Sequence, residues 1–210
     1  MADTPSPQTL PGDPQQFSDP FALFSVWFDY AAEVEVNDHQ AMALASLDST
    51  GMPDIRVVLM RDVSEQGFAF FTNFQSAKGR ELLAHPKAAA NFHWKSCRRQ
   101  VRLRGPIEPV TTAEADAYFN GRPRLSQIGA WASEQSQVIP DRQYLLDRVA
   151  KFEEQYADQP VPRPLHWAGF RLRPLSIEFW QDGAFRLHDR FLYHRASLDD
   201  KSWICELLAP

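Results

Sequence analysis

Cysteine is scarce: Cys97 and Cys205 are the two in 210 residues. That is too few for a disulfide framework, and no metal-ligand spacing surrounds either, so no metal is expected. Long apolar runs are missing too. None approaches the ~20 residues of a membrane span, so no membrane association is expected. The opening MADTPSPQTLPGDPQQ lacks the basic start and apolar stretch of a secretory signal. Together these absences make a reducing, cytoplasmic setting the expectation. There is no excess of positive charge. Twenty-two basic against 27 acidic residues give a net charge of -5, a poor match to a dedicated nucleic-acid binder. No Ser-His-Asp arrangement, glycine-rich phosphate loop or HExxH motif is visible. Glycine is sparse, at nine residues, whereas aromatics reach 12%. That balance points to flat-faced packing, in a core or against a ring-shaped ligand. Hydrophobic residues at 44% and charged residues at 23% are ordinary for a globular chain. The length favours one domain with a sizeable core.

Residues 1–19 hold four of the 16 prolines and few large apolar groups, which predicts a mobile tail before a single domain over 20–210. Ser18 or Asp19 can cap a helix that starts at Pro20. Phe21, Phe24, Trp27, Phe28 and Ala31 recur at helical spacing and predict one buried face. Strand patterns then dominate, at 41–48, 54–60, 67–72, 87–94 and 98–105, and again at 170–180, 185–195 and 202–208. The short turns among the first three predict an antiparallel meander. Ser76 caps a short helix that ends before Pro86. Thr111 and Glu114 have capping-box spacing, Pro123 interrupts the helix that follows, and 141–157 reads as a charged amphipathic helix. PVPRP (160–164) is a rigid linker. Seven or eight strands without βαβ alternation predict a mainly β, mostly antiparallel barrel with peripheral helices.

Four clusters carry chemistry. In TNFQSAKGREL (72–82) a strand gives way to a helix start, where free amides join Thr72, Ser76 and Lys78 in an arrangement suited to phosphate. An ordinary capped helix with a solvated lysine fits the same residues. In KSCRRQVRLRG (95–105), alternation puts Gln100, Arg102 and Arg104 on one face and Val101 and Leu103 on the other. That face either meets a phosphorylated ligand or is a solvated edge. In YFNGRPRLSQIGAW (118–131), Tyr118, Arg122 and Ser126 stand at i, i+4 and i+8, a phosphate clamp if the helix continued past Pro123; taken alone, an ordinary solvated surface fits these residues better. In FWQDGAFRLHDRF (179–191), Arg186, His188 and Arg190 would share one face of a strand. Their crowded positive charge favours a bound anion over a solvated edge strand screened by Asp189, and flanking arginines predict a neutral His188. Basic and hydroxyl groups are many and candidate acids few. This suggests phosphorylated, planar ligands, with a bound cofactor carrying the chemistry.

At these residues the chain resembles the pyridoxamine 5′-phosphate oxidase family, from about Asp19 to Pro210. The resemblance rests on RVVLM (56–60), TNFQSAKGREL (72–82), RRQV (98–101), RPRLSQIGAWAS (122–133), QS (135–136), IEFWQ (177–181) and RLHDRFLY (186–193). It implies a split β-barrel FMN-binding fold and a homodimer with two FMN sites between subunits. By resemblance, Arg56, Val57, Val58, Leu59, Met60, Arg61, Phe71, Thr72, Lys78, Gln100, Gln135, Ser136, Trp180 and Arg190 would contact FMN. Arg61, Tyr118, Arg122, Ser126, Arg186 and His188 would hold pyridoxamine 5′-phosphate or pyridoxine 5′-phosphate, with Arg186 and His188 at the reacting end. The implied reaction forms pyridoxal 5′-phosphate, with dioxygen as acceptor, and releases hydrogen peroxide and, from the amine, ammonia. A flavin reductase of other specificity and a non-catalytic flavin- or pyridoxal-phosphate-binding protein are the alternatives. The chain departs from the family pattern at Arg61, where lysine is common, and at Ala77, where arginine is common. It also ends Leu207-Leu208-Ala209-Pro210 rather than Arg-Leu-x-Pro.

Overall fold

The computed structural model describes residues 11–210. Pro20 opens helix α1 (Pro20–Val34), and the Asp19 carboxylate accepts from the Phe21 amide at 3.0 Å as its N-cap. Leu23, Phe24, Trp27 and Ala31 are fully buried, which realises the predicted apolar face. Ten strands follow: β1 (Ala41–Leu47), β2 (Pro53–Leu59), β3 (Asp62–Ser64), β4 (Gly67–Asn73), β5 (Lys87–Trp94), β6 (Arg99–Pro109), β7 (Trp167–Leu172), β8 (Ser176–Gln181), β9 (Asp189–His194) and β10 (Ile204–Leu207). Among the described residues every strand pairing is antiparallel.

The main sheet runs β10-β9-β8-β6-β5-β1-β2. Strand β6 serves two neighbours in succession. Its Arg99–Arg104 stretch pairs with β8, and Ile107–Pro109 pairs with β7, which carries β4 and β3. The bend lies at Gly105, where a Cβ would stand 2.1 Å from the Arg173 carbonyl oxygen, so the close approach needs glycine. The result is a mainly β, curled half-barrel with helices at its margin. Phe24 of α1 packs inside the curl against Phe68 and Phe92, at centroid distances of 4.8 and 5.3 Å. Helix α2 (Ala77–Ala84) starts at its Ser76 cap, and α3 (Thr112–Asn120) carries the Thr111–Glu114 capping box. Helices α4 (Arg124–Ala132) and α5 (Arg142–Gln155) complete the margin. A second, smaller core of Phe119, Ile128, Tyr156, Val161 and Trp167 joins the helices to β7. No helix among the described residues is long and apolar enough to cross a membrane.

Four expectations need correction. Residues 11–19 do not hang free. Pro14 is buried, the Trp27 indole donates to the Gly12 carbonyl at 2.8 Å, and the Tyr193 hydroxyl lies 2.7 and 2.9 Å from the Pro14 and Phe17 carbonyls. Backbone acceptors, which composition does not reveal, anchor this stretch; residues 1–10 of the expected tail lie outside the described residues. Second, the turn after Met60 contains the short strand β3, and the expected three-strand meander stops at its first hairpin: β2 pairs with β1 alone, whereas β4 pairs with β3 and β7. Third, 170–180 is two strands rather than one. Pro174 lacks an amide hydrogen and interrupts the ladder, so the chain leaves β4 and β6 at β7 and rejoins β6 at β8. Fourth, 185–195 is not one strand. Phe185 and Arg186 adopt φ of 57° and 67° in a 3-10 turn (Ala184–Arg186), and β9 begins only at Asp189. Arg186, His188 and Arg190 therefore do not share a strand face.

Candidate active site

Two groups of predicted residues emerge, on different parts of the chain. The first lines a cleft of about 700 Å³ between the edge of β2, the end of β4 and helices α2 to α4. Val57, Val58, Leu59 and Arg61 enter it from the β2 end, Phe71 and Thr72 from β4, and Lys78 from α2. Tyr118, Arg122 and Ser126 line its other wall, with Gln135 at the loop after α4. The helix breaks at Pro123, as its missing amide hydrogen dictates, yet Tyr118, Arg122 and Ser126 still converge. The clamp comes from the angle between two short helices, not from one continuous face.

One end of the cleft is polar. The Lys78 ammonium lies 3.3 Å from Thr72 Oγ1 and 3.1 Å from Gln135 Oε1. The Ser76 hydroxyl accepts from the Gly79 amide at 3.2 Å and so closes one free donor of α2. Among the described residues Lys78 makes no ion pair. Burial pushes its pKa below the ordinary lysine value, and the nearby Arg56 charge adds to the effect. A phosphate there would offset both penalties.

The wall opposite is aromatic. The Phe71 and Tyr118 rings stack at 4.0 Å and 9°, and Trp167 lies parallel to Tyr118 within 1°. The Arg122 guanidinium stands 4.6 Å over the Trp167 ring. Its Nη1 is shielded from solvent and has no hydrogen-bond partner. Burial lowers the Arg122 pKa; Tyr118 opposes that shift and the Arg61 charge adds to it. An orphaned, charged donor in a cleft is expensive unless a ligand completes it. Arg61 hydrogen-bonds Gln40 Oε1 at 2.8 Å. It reaches the cleft because β2 stops at Leu59 and the Met60 amide turns to the Gln40 carbonyl.

Two expected cleft residues lie elsewhere. Arg56 is spent on its own chain, with its guanidinium bonded to Ser46, Asp54 and Glu81, the last at 2.8 Å. Met60 is buried in the core. Neither lines the cleft.

The second group spans the β6, β8 and β9 face. Gln100, Trp180 and Arg190 sit side by side in register across these strands. The His188 ring packs 4.7 Å from the Trp180 ring. Its Nδ1 lies 3.1 Å from both the Gly183 amide and Asp182 Oδ1, which leaves Nε2 for a ligand. The charged group against the imidazole is thus a carboxylate, not the arginines expected from sequence. Arg190 is tied to Glu178 at 2.8 Å and to the Ala209 carbonyl at 2.9 Å; Arg186 is exposed in its turn. Ser136 follows Gln135 at φ 71° in the loop after α4. None of Gln100, Ser136, Trp180, Arg186, His188 and Arg190 lines the 700 Å³ cleft.

Sequence reasoning missed Trp167, which supports Arg122, and Glu178, which is buried and accepts from Arg102 and Arg190 together. Strand alternation could have found Glu178, because it faces Arg102 directly in register. Nothing local marks Trp167, whose partners come from distant segments.

Comparison with known proteins places the chain in a family. Residues 28–156 match the family described as pyridoxamine 5′-phosphate oxidase, and residues 167–210 match the pyridoxine 5′-phosphate oxidase C-terminal dimerisation region. A pyridoxine/pyridoxamine 5′-phosphate oxidase of Caulobacter vibrioides is 56% identical over 91% of this chain and 85% of its own length. One from Bartonella henselae is 53% identical over 94% and 96%. Among solved structures, PhzG from Burkholderia lata 383, in complex with tetrahydrophenazine-1-carboxylic acid, superposes with a TM-score of 0.85 at 32% identity, over 94% of this chain and 95% of that one. A pyridoxamine 5′-phosphate oxidase-related, FMN binding protein from Nostoc punctiforme shares the fold, with a TM-score of 0.72 at 18% identity over 89% and 97%. With matches that span nearly the whole described chain, and with a cleft of phosphate-seeking side chains beside stacked rings, the chain belongs to the pyridoxine/pyridoxamine 5′-phosphate oxidase family.

Proposed function

We propose that residues 20–210 form one catalytic domain, with 11–19 docked on it, that oxidises pyridoxamine 5′-phosphate or pyridoxine 5′-phosphate to pyridoxal 5′-phosphate. FMN is the cofactor and dioxygen the acceptor, and the working form is a homodimer. The observation that carries this reading is the orphaned Arg122 Nη1 in a cleft that also presents Arg61, Tyr118 and Ser126. Those four groups supply charged and hydroxyl donors of the kind that grip a phosphate. Lys78, which has no ion-pair partner among the described residues, supplies with Thr72 and Gln135 a second set in the same cleft, suited to the phosphate of FMN. Two anion sets flanking stacked aromatic rings suit two planar phosphorylated molecules.

Bound FMN supplies the two-electron acceptor chemistry. The chain supplies position and charge. Arg61, Arg122, Tyr118 and Ser126 hold the substrate phosphate. His188, fixed through Nδ1, offers Nε2 to the substrate's reacting end beside Arg186, and Arg190 with Gln100 and Trp180 contacts the cofactor. On one chain these last residues lie outside the cleft. A second copy that brings its β8–β9 face to the β2 edge would complete the site, and the match of residues 167–210 to a dimerisation region supports that arrangement. Exposed Ile55 and Val57 on β2 supply apolar surface for the contact.

The test is direct. Purified protein should be yellow and dimeric, and should release pyridoxal 5′-phosphate and hydrogen peroxide from pyridoxine 5′-phosphate, with ammonia in addition from the amine. A flavin-loaded protein that reduces flavin with another donor, or turns over neither substrate, would replace this reading with a reductase or a binding protein.

A further inference from the structure

Next to the cleft, and sharing Arg61, Phe71 and Tyr118 with it, a smaller cavity of about 310 Å³ is also bordered by Asp62, Glu114 and Arg171. Arg171 is buried at 7% exposure on β7, between β4 on one side and the end of β6 on the other. Its guanidinium bonds three separate segments: Gln66 of the β3–β4 turn at 3.0 Å, Asp62 of β3 at 3.4 Å, and Glu114 of α3 at 2.8 Å. Register explains the reach. Asp62 pairs with Ala69, and Ala69 pairs with Arg171, so one methyl group separates the cation from the aspartate. A larger residue at 69 would block the path.

Two of the segments that Arg171 holds carry a substrate ligand. Asp62 directly follows Arg61, whose own amide donates to the Ala69 carbonyl at 2.8 Å. Glu114 stands one helical turn before Tyr118 on the same face of α3. Glu114 is fixed twice, by Thr111 in the capping box and by Arg171. The Thr111 hydroxyl first, and Arg171 next, hold its carboxyl down to about 2, so Glu114 meets Arg171 as a carboxylate near neutral pH. Arg171 does not line the cleft itself.

We infer that Arg171 is a positioning residue for substrate phosphate recognition: by tying Asp62 to Glu114 across the Ala69 methyl, it sets the spacing between Arg61 and Tyr118. The inference rests on the phosphate role proposed for those two residues. Even a small displacement of one phosphate ligand relative to another weakens recognition steeply, because the donors must converge on one anion. The cofactor set at Lys78, Thr72 and Gln135 makes no bond to Arg171 and should not feel the change.

The test compares Arg171→Gln, Arg171→Lys and Glu114→Gln in the flavin-loaded dimer. Glutamine at 114 keeps the capping-box reach while removing the charge, so this variant reads the tie even if Arg171→Gln fails to fold. KM for pyridoxine 5′-phosphate should rise about tenfold in Arg171→Gln and about threefold in Glu114→Gln. In both, kcat and the FMN dissociation constant should stay within about twofold. Arg171→Lys should recover part of the loss, and the double variant should be no worse than Arg171→Gln alone, because both remove one connection. Calorimetric binding of pyridoxal 5′-phosphate should weaken in parallel, while binding of unphosphorylated pyridoxal should not. An unchanged KM in the folded variants, or a joint loss of KM, kcat and flavin affinity, would overturn the inference. Arg61→Ala serves as the reference. If it raises KM and the Arg171 and Glu114 variants do not, only the positioning role fails; if it leaves KM unchanged, the phosphate reading beneath it fails as well.

Discussion

Replacing Arg122 by leucine should separate stability from function. In the ligand-free protein the Arg122 Nη1 is shielded and unpartnered, while the guanidinium lies 4.6 Å over Trp167. Leaving a buried donor unmet costs about 1–3 kcal/mol. The contact with the indole returns about 0.5–2 kcal/mol. Leucine removes both terms and keeps apolar contact with Trp167, so the net change without ligand should lie between about 1 kcal/mol of destabilisation and about 2.5 kcal/mol of stabilisation. At this chain length 1 kcal/mol moves Tm by about 2–4 °C, so Tm should fall by no more than about 4 °C and can rise by several degrees. Phosphate recognition should move the other way. Loss of a charged hydrogen bond costs about 1.5–3 kcal/mol, roughly ten- to over a hundredfold in kcat/KM for pyridoxine 5′-phosphate. Ligand then discriminates further. At about a hundred times its Kd, pyridoxal 5′-phosphate should stabilise the parent protein by about 2.7 kcal/mol, and the variant by far less at the same concentration. Thermal melts with and without that ligand, beside kcat/KM for phosphorylated and unphosphorylated substrates, give the full set. A variant that melts more than about 5 °C lower, with equal kinetic losses on both substrates, would show that Arg122 supports the fold and refute the reasoning.

Arg61→Lys should keep substantial turnover, with KM changed severalfold at most, whereas Arg61→Ala should lose about 1.5–3 kcal/mol on phosphorylated substrate alone; steady-state kinetics on both substrate types decides it. His188→Ala and Arg186→Ala should lower turnover with flavin retained, while Arg190→Ala should weaken FMN, as fluorescence titration would report; equal flavin loss in all three would erase the division of roles. Lys78 titrates below the ordinary lysine value of 10.5. The unfolded chain therefore holds the proton more tightly between the two values, and ligand-free stability should rise with pH across that window. FMN affinity should fall across the same window as the ammonium is lost, and Lys78→Arg should abolish that fall; urea melts and flavin titrations at each pH check both signs. Tyr193→Phe removes the hydroxyl that meets the Pro14 and Phe17 carbonyls and should cost about 1–3 kcal/mol in urea denaturation with no change in KM.

Much of this architecture was legible because local rules govern it. Asp19, Ser76 and Thr111 cap the helices that their spacing announces, whereas Asp141, expected inside its helix, caps it instead. The alternation in β6 puts Val101 and Leu103 inward and Arg102 and Arg104 outward as expected. What local rules could not reach depends on distant partners. The 185–195 segment has strand-like alternation, but Phe185 and Arg186 take left-handed backbone where Gly183 lets the chain fold tightly back on Leu187. Arg56 sits in a motif shared with ligand-binding relatives, yet Glu81, 25 positions away, claims its guanidinium. Motif resemblance brought Tyr118, Arg122 and Ser126 together correctly although the helical periodicity offered for them does not survive Pro123.

The bonds from Tyr193 to Pro14 and Phe17 also bear on how the chain is made. They join positions 179 and 176 residues apart. At synthesis rates of about 5–20 residues per second, the ribosome needs roughly 9–36 s after Phe17 before Tyr193 exists. For that interval α1 has no completed curl to enter, and Leu23, Phe24 and Trp27, all fully buried in the finished fold, stay open to solvent or to other nascent chains. Such late closure makes slow folding and early aggregation the natural hazards of this topology. Helix α1, made long before β9, is among the last elements to be sealed.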